Sequence, residues 1–163
     1  MDTFEGWYRQ EHPRLVTSLL LVAGDIHVAQ EAADEAFARA LARWDRVGAM
    51  DSPNGWTYRV ALNLLRRRGR RAAKERELLS RQRPPGEIPA PAGEAWDAVR
   101  RLPPRQRTAV VLRYVADLTE EQVGAAMGVS RSTISSLLAD ARRTLGRLLA
   151  DDDERVVGVV RSV

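Results

Sequence analysis

Apolar positions recur every three or four residues along most of this chain, the spacing that lines one face of an α-helix. Phe4, Trp7, Tyr8, Leu15, Leu19 and Val22 make the first such face. Thr3 is placed to cap it. Pro13 removes an amide donor and predicts a break or kink, and Gly24 predicts the stop. Residues 26–45 predict a second helix, capped by Asp25, with Ala29, Ala33, Phe37, Leu41 and Trp44 on one side. Residues 46–53 contain Gly48, Ser52 and Pro53 and predict a loop. A further helix follows, capped by Asn54 or Ser52, with Trp56, Val60 and Leu64 in register. This part of the chain shows no alternation of the kind a strand needs.

The pattern breaks at PPGEIPAPAG (84–93), where four prolines and two glycines fall within ten residues. Proline restricts the backbone and denies helix hydrogen bonds, so this is a linker. Periodicity resumes with Trp96, Val99 and Leu102. Pro104 suits the first turn of a helix whose apolar side is Val110, Val111, Tyr114 and Val115. Thr119 and Gln122 form a capping-box pair ahead of a short helix that stops at Gly128. Ser130 then caps a long helix running from Arg131 to about Leu149. A short helix, a glycine turn and a longer helix make a helix-turn-helix. Gly124 lets the two helices approach, and Val123, Met127, Val129, Ile134 and Leu137 fill the space between them. The first turns of the long helix carry Arg131, Ser132, Thr133, Ser135 and Ser136, side chains able to reach phosphates and base edges from a major groove.

The expectation is an all-α protein of two small helical domains, residues 1–73 and 95–150, joined by a flexible Pro-rich linker at 74–94. An acidic, valine-rich tail, 151–163, has no clear home in either domain and is expected to fray.

Charge sharpens this picture. The chain has 163 residues and a net charge of +4. Residues 1–58 are net −4, residues 59–83 net +8 and residues 84–163 neutral, so the positive excess is confined to the third helix and its continuation. Five arginines fall within 66–71, and Lys74 is the only lysine. An apolar seam with a dense cationic end suits a polyanion, nucleic acid foremost. Glu31, Asp34 and Glu35 cluster on the second helix. They fit favourable placement near a helix N-terminus or a docking face for a basic partner.

Other chemistries are excluded. There is no cysteine, and His12 and His27 are the only histidines, so thiol catalysis, disulfides and zinc–thiolate sites are out. No carboxylate–histidine constellation, glycine-rich phosphate loop or metal-ligand spacing is present. The expectation is a protein with no enzymatic activity, no cofactor and no metal. The N-terminus lacks an export signal and no apolar run could span a bilayer, so a cytoplasmic protein without membrane insertion is expected.

AQEAADEAFARALARW (29–44), PNGWTYRVALNLLRRRGRR (53–71) and LPPRQRTAVVLRYVADLTEEQVGAAMGVSRSTISSLLADARRTL (102–145), in this order, resemble one family. They are similar to bacterial extracytoplasmic-function (ECF) sigma factors of RNA polymerase, the group IV type of the sigma-70 family. The resemblance covers roughly residues 3–149. It implies that the first domain is a sigma region 2 bundle and the second a sigma region 4 helix-turn-helix. It implies that Glu31, Asp34 and Glu35 dock on the clamp helices of the largest subunit of core RNA polymerase, with region 4 touching the flap. It implies that the loop at 48–54 and the helix start take up the non-template strand of the −10 element, through Asp51, Ser52, Asn54, Trp56, Tyr58, Arg59 and Asn63. Arg66, Arg67 and Arg70 would hold the duplex just upstream. Arg131, Ser132, Thr133, Ser135, Ser136, Arg142 and Arg143 would serve the −35 element. The recognition helix is poor in charge here, with Arg131 the only basic residue before Arg142 and Arg143. An anti-sigma factor is a further partner that the resemblance makes possible. The alternative reading is a helix-turn-helix DNA-binding regulator that acts without polymerase.

Overall fold

The computed structural model describes residues 3–79 and 93–161, all of whose regular structure is α-helical. Eight helices follow in order: α1 (Phe4–Ala23), α2 (Ile26–Leu41), α3 (Trp44–Val47), α4 (Pro53–Leu79), α5 (Glu94–Arg100), α6 (Pro104–Tyr114), α7 (Glu120–Met127) and α8 (Arg131–Arg161).

Helices α1, α2 and α4 form the first bundle. Thr3 caps α1 by accepting from the amide of Gly6, and Gly24 ends it with φ of 75°. The expected break at Pro13 does not occur: α1 runs through it. Pro13 is exposed, and Leu15, Ser18 and Leu19 beyond it are fully buried. Water can satisfy the carbonyl that Pro13 leaves free, and the packing of the next two turns holds the helix together. Asp25 caps α2 through the amides of His27 and Val28. The helix expected to run to residue 45 instead ends at Leu41. After two intervening residues, Trp44 opens the separate single turn α3, which turns its indole back toward α1.

The second half packs α6, α7 and α8 around Val111, Leu112, Val123, Ile134 and Leu138, with α5 against α8. Thr119 and Gln122 close the expected capping box, and Gly128 turns the chain with φ of 71°. Gly124 is needed for close approach: a Cβ there would lie 2.8 Å from the carbonyl oxygen of Val129. Val123, Met127 and Ile134 are buried, with Val129 and Leu137 packed against them. Ser130 caps α8 by accepting from the amide of Thr133.

Two boundaries differ from expectation. Helix α4 extends to Leu79, into the stretch read as the start of the linker, and α8 extends to Arg161, through most of the stretch read as a frayed tail. The Pro-rich segment itself lies outside the described residues. The two halves also touch: α4 packs on α7 and α1 on α6, and one apolar cluster runs through both.

Candidate nucleic-acid interface

Ser52 fixes the start of α4. Its hydroxyl accepts from the amide of Gly55 at 3.0 Å, the role the sequence left open between Ser52 and Asn54. Asn54 has a different task, accepting from Trp7 Nε1 at 2.7 Å. From this start, Arg59, Asn63, Arg66 and Arg70 follow at i, i+4, i+7 and i+11, one stripe of the helix, and all four are exposed. Arg67 flanks the stripe. Arg59, Arg67 and Arg70 have no ion pair among the described residues, so their charges are available to phosphates. Arg66 donates to the carbonyl of Met127 at 3.0 Å. Arg68 points the other way and pairs with Glu31 of α2.

One of the expected strand contacts changes. Tyr58 is not on the stripe but in the core, 3% exposed, with its hydroxyl 3.1 Å from that of Ser18. Burial pushes its phenol up to about 12, against the smaller opposing effect of the Ser18 hydrogen bond. It sits with Ala61 and Leu62 on the buried face of α4, so it cannot meet a DNA strand without unfolding. Trp56 is half-buried. Asp51 is exposed at the centre of the loop, where it forms no ion pair among the described residues.

In α8, Arg131, Ser132, Ser135, Ser136, Arg142 and Arg143 form one exposed stripe. Thr133 falls beside it, half-buried, with its hydroxyl bonded to Ser130. Arg142 and Arg143 lie roughly 16 Å along the axis from Arg131, about three turns away. Arg142 donates to Tyr114 Oη at 3.0 Å, which holds its charge more firmly, and Arg143 pairs with Asp140. The two later arginines therefore stand well away from the first turns of the helix.

The acidic trio is exposed, and each member has a partner. Glu31 pairs with Arg68, Asp34 lies 2.8 Å from His12 Nε2, and Glu35 accepts from Arg39 at 2.7 Å. Such exposed pairs are worth about 0–1 kcal/mol, so a competing partner can take these carboxylates over cheaply.

Sequence reasoning missed several residues. Glu120 accepts from Ser135 Oγ at 2.5 Å and stands 3.8 Å from Arg131 Nε, placing a carboxylate on the reading face. Gln122 reaches out of its capping box to Ser52 Oγ at 2.9 Å. Trp7 reaches from α1 to Asn54. None of these has a signal in local spacing, because each contact joins elements brought together only by the fold.

The family profile of sigma-70 region 4 matches residues 98–146, from within α5 to midway along α8. The ECF RNA polymerase sigma factor SigW of Bacillus subtilis is 25% identical, over 78% of this chain and 79% of its own. The RNA polymerase sigma-E factor of Streptomyces coelicolor is 30% identical, over 89% of this chain and 83% of its own. The chain belongs to the ECF sigma factors. The Bartonella quintana sigma factor RpoE, solved in complex with the anti-sigma factor NepR, superposes with a TM-score of 0.79 at 19% identity, covering 90% of this chain and 96% of its own, and so has the same fold. The likeness spans both halves of this ECF sigma factor. A stand-alone helix-turn-helix regulator would account for the second half alone.

Proposed function

We propose that this ECF sigma factor, a promoter-specificity subunit of RNA polymerase, divides recognition between two surfaces. The loop at 48–52 and the stripe Arg59, Asn63, Arg66 and Arg70 take the −10 element, with Arg67 on the flanking phosphates. The first turns of α8 read the −35 element, with Arg142 and Arg143 on the DNA backbone. The exposed arginines Arg59, Arg67 and Arg70, which have no ion pair among the described residues, carry this reading. Capturing a melted strand needs backbone cations beside a site for an unstacked base, and the exposed arginines that follow the loop along α4 support this reading.

Glu31, Asp34 and Glu35 are assigned to the polymerase clamp helices, and the second half to the flap. Tethering both surfaces to polymerase raises the effective concentration of each, so neither need bind DNA tightly alone. The protein carries out no chemical step of its own and acts in the cytoplasm. No helix among the described residues is long and apolar enough to cross a membrane. An anti-sigma factor is a further proposed partner. RpoE was solved with NepR, and the similarly folded CnrH, with a TM-score of 0.62, was solved with the cytosolic domain of CnrY.

The test is transcription in vitro with core polymerase over a library randomised in both promoter elements. The expected result is initiation confined to a shared pair of motifs. Failure of the chain to bind core polymerase would overturn the reading.

A further inference from the structure

The loop at 48–52 carries the residues assigned to the melted strand, and both of its ends rest on one pair of indoles. At the first end, Gly48 lies flat on Trp44: a Cβ on Gly48 would be 2.9 Å from Trp44 Cε2 and 3.0 Å from the Trp44 carbonyl oxygen. The Gly48 amide donates to that same carbonyl at 2.8 Å. At the far end, Asn54 in the first turn of α4 accepts from Trp7 Nε1 at 2.7 Å. The two indoles are packed together, with centroids 4.8 Å apart, and Trp7 also packs on Phe37 of the core at 4.9 Å. Phe4 completes the frame edge-on to Trp44 at 5.2 Å.

Ring packing alone would hold Trp44 under Gly48. It does not explain the indole donor aimed at Asn54, forty-seven residues away in sequence. That bond sets the orientation of the Asn54 amide. With its Oδ1 committed to Trp7, the Nδ2 donors have no hydrogen-bond partner among the described residues. We propose that Trp7 is a positioning residue for −10 recognition. Through Asn54 it fixes the loop and the Asn54 donors in the geometry that receives an unstacked base of the non-template strand. This rests on the function proposed above, and extends it to a residue on α1 that touches no DNA.

The test uses the full chain with core polymerase and the promoter motifs found with the wild type. Discrimination is read as the ratio of transcript from the preferred −10 sequence to that from singly substituted ones, with −35 substitutions measured in parallel. Trp7→Phe keeps an aromatic ring in the cluster and removes the donor. It is expected to lower −10 discrimination by about three- to tenfold, the range of one lost hydrogen bond, with −35 discrimination and core affinity unchanged. In an Asn54→Ala background the same substitution should have no further effect on −10 discrimination, because the acceptor through which Trp7 acts is already gone.

Full −10 discrimination by Trp7→Phe overturns the proposal. So does a parallel fall in −10 and −35 discrimination with the melting midpoint, which marks a purely structural role. So does an undiminished effect in the Asn54→Ala background. A wild-type chain that binds no core polymerase overturns the functional reading itself and the positioning role with it.

Discussion

Gln122 Nε2 donates to Ser52 Oγ at 2.9 Å, while Gln122 Oε1 accepts from the Thr119 amide at 2.8 Å. One side chain therefore caps the first helix of the helix-turn-helix and fastens it to the cap of α4. Met127, at the other end of α7, receives Arg66. Helix α7 thus lies along part of the stripe assigned to the −10 element, and DNA bound there must displace it. The sequence has no cysteine, so Ala42→Cys and Ala125→Cys, both at exposed positions, allow selective labelling of the two halves. Energy transfer between the labels should fall when core polymerase and promoter are added. Unchanged transfer on promoter binding would show that the halves stay packed.

Arg67 and Arg70 have no ion pair among the described residues, whereas Arg68 is held by Glu31. Replacing Arg67 and Arg70 with alanine should reduce the slope of log affinity against log salt by about 2, because roughly 0.9 counterions are released per duplex phosphate contact. Arg68→Ala should change it less. Anisotropy of labelled promoter DNA with holoenzyme across a salt series gives these slopes.

Glu31→Arg together with Glu35→Arg should weaken assembly with core polymerase by tenfold or more, on the order of 1.4 kcal/mol. The ion pairs lost are exposed, so the fold should lose no more than about 1 kcal/mol each. Titration against core polymerase, with a denaturant melt as control, separates the two effects. Normal assembly would leave the acidic trio with only its helix-terminal role.

Tyr58 couples stability to alkaline pH. Its folded pKa of about 12 lies above the unfolded value of 10. The stabilising contribution is therefore complete below pH 10 and is lost as pH rises through 12, because the unfolded chain gives up the proton first. A shift of this size corresponds to roughly 2–3 kcal/mol. Tyr58→Phe should flatten the fall of the urea midpoint between pH 10 and 11.5. At neutral pH it should cost about 0.5–1.5 kcal/mol, since it removes the hydrogen bond to Ser18.

The parts of this fold written in local chemistry were legible. Thr119 with Gln122, Gly128 with φ of 71°, and Gly124 against the Val129 carbonyl all behave as their residue types require. The misreadings have a common cause in tertiary packing. Trp44 continues the helical spacing of Leu41, but the aromatic cluster on α1 draws it out of α2. Pro13 should break or kink α1, yet the helix continues past it, with Leu15, Ser18 and Leu19 buried on its C-terminal side. Tyr58 shares its face with Ala61 and Leu62 at i+3 and i+4. Following Trp56, Val60 and Leu64 instead traced the edge of the apolar face and left Tyr58 among the polar candidates. The arginine stripe was visible as charge, but which arginines are free depends on Glu31 and Met127, both distant in sequence.

The pairing of Arg68 with Glu31 has a thermodynamic corollary. One charge belongs to the helix assigned to polymerase and the other to the helix assigned to DNA. A protein surface that claims Glu31 leaves Arg68 uncompensated, and its charge then adds to the field felt by the promoter. By reciprocity, DNA that draws Arg68 away leaves Glu31 freer to bind polymerase. An exposed pair limits this coupling to about 1 kcal/mol, at most roughly fivefold in either affinity. On these assignments, and within that limit, the two ligands would cooperate through a single ion exchange, without any movement of the backbone.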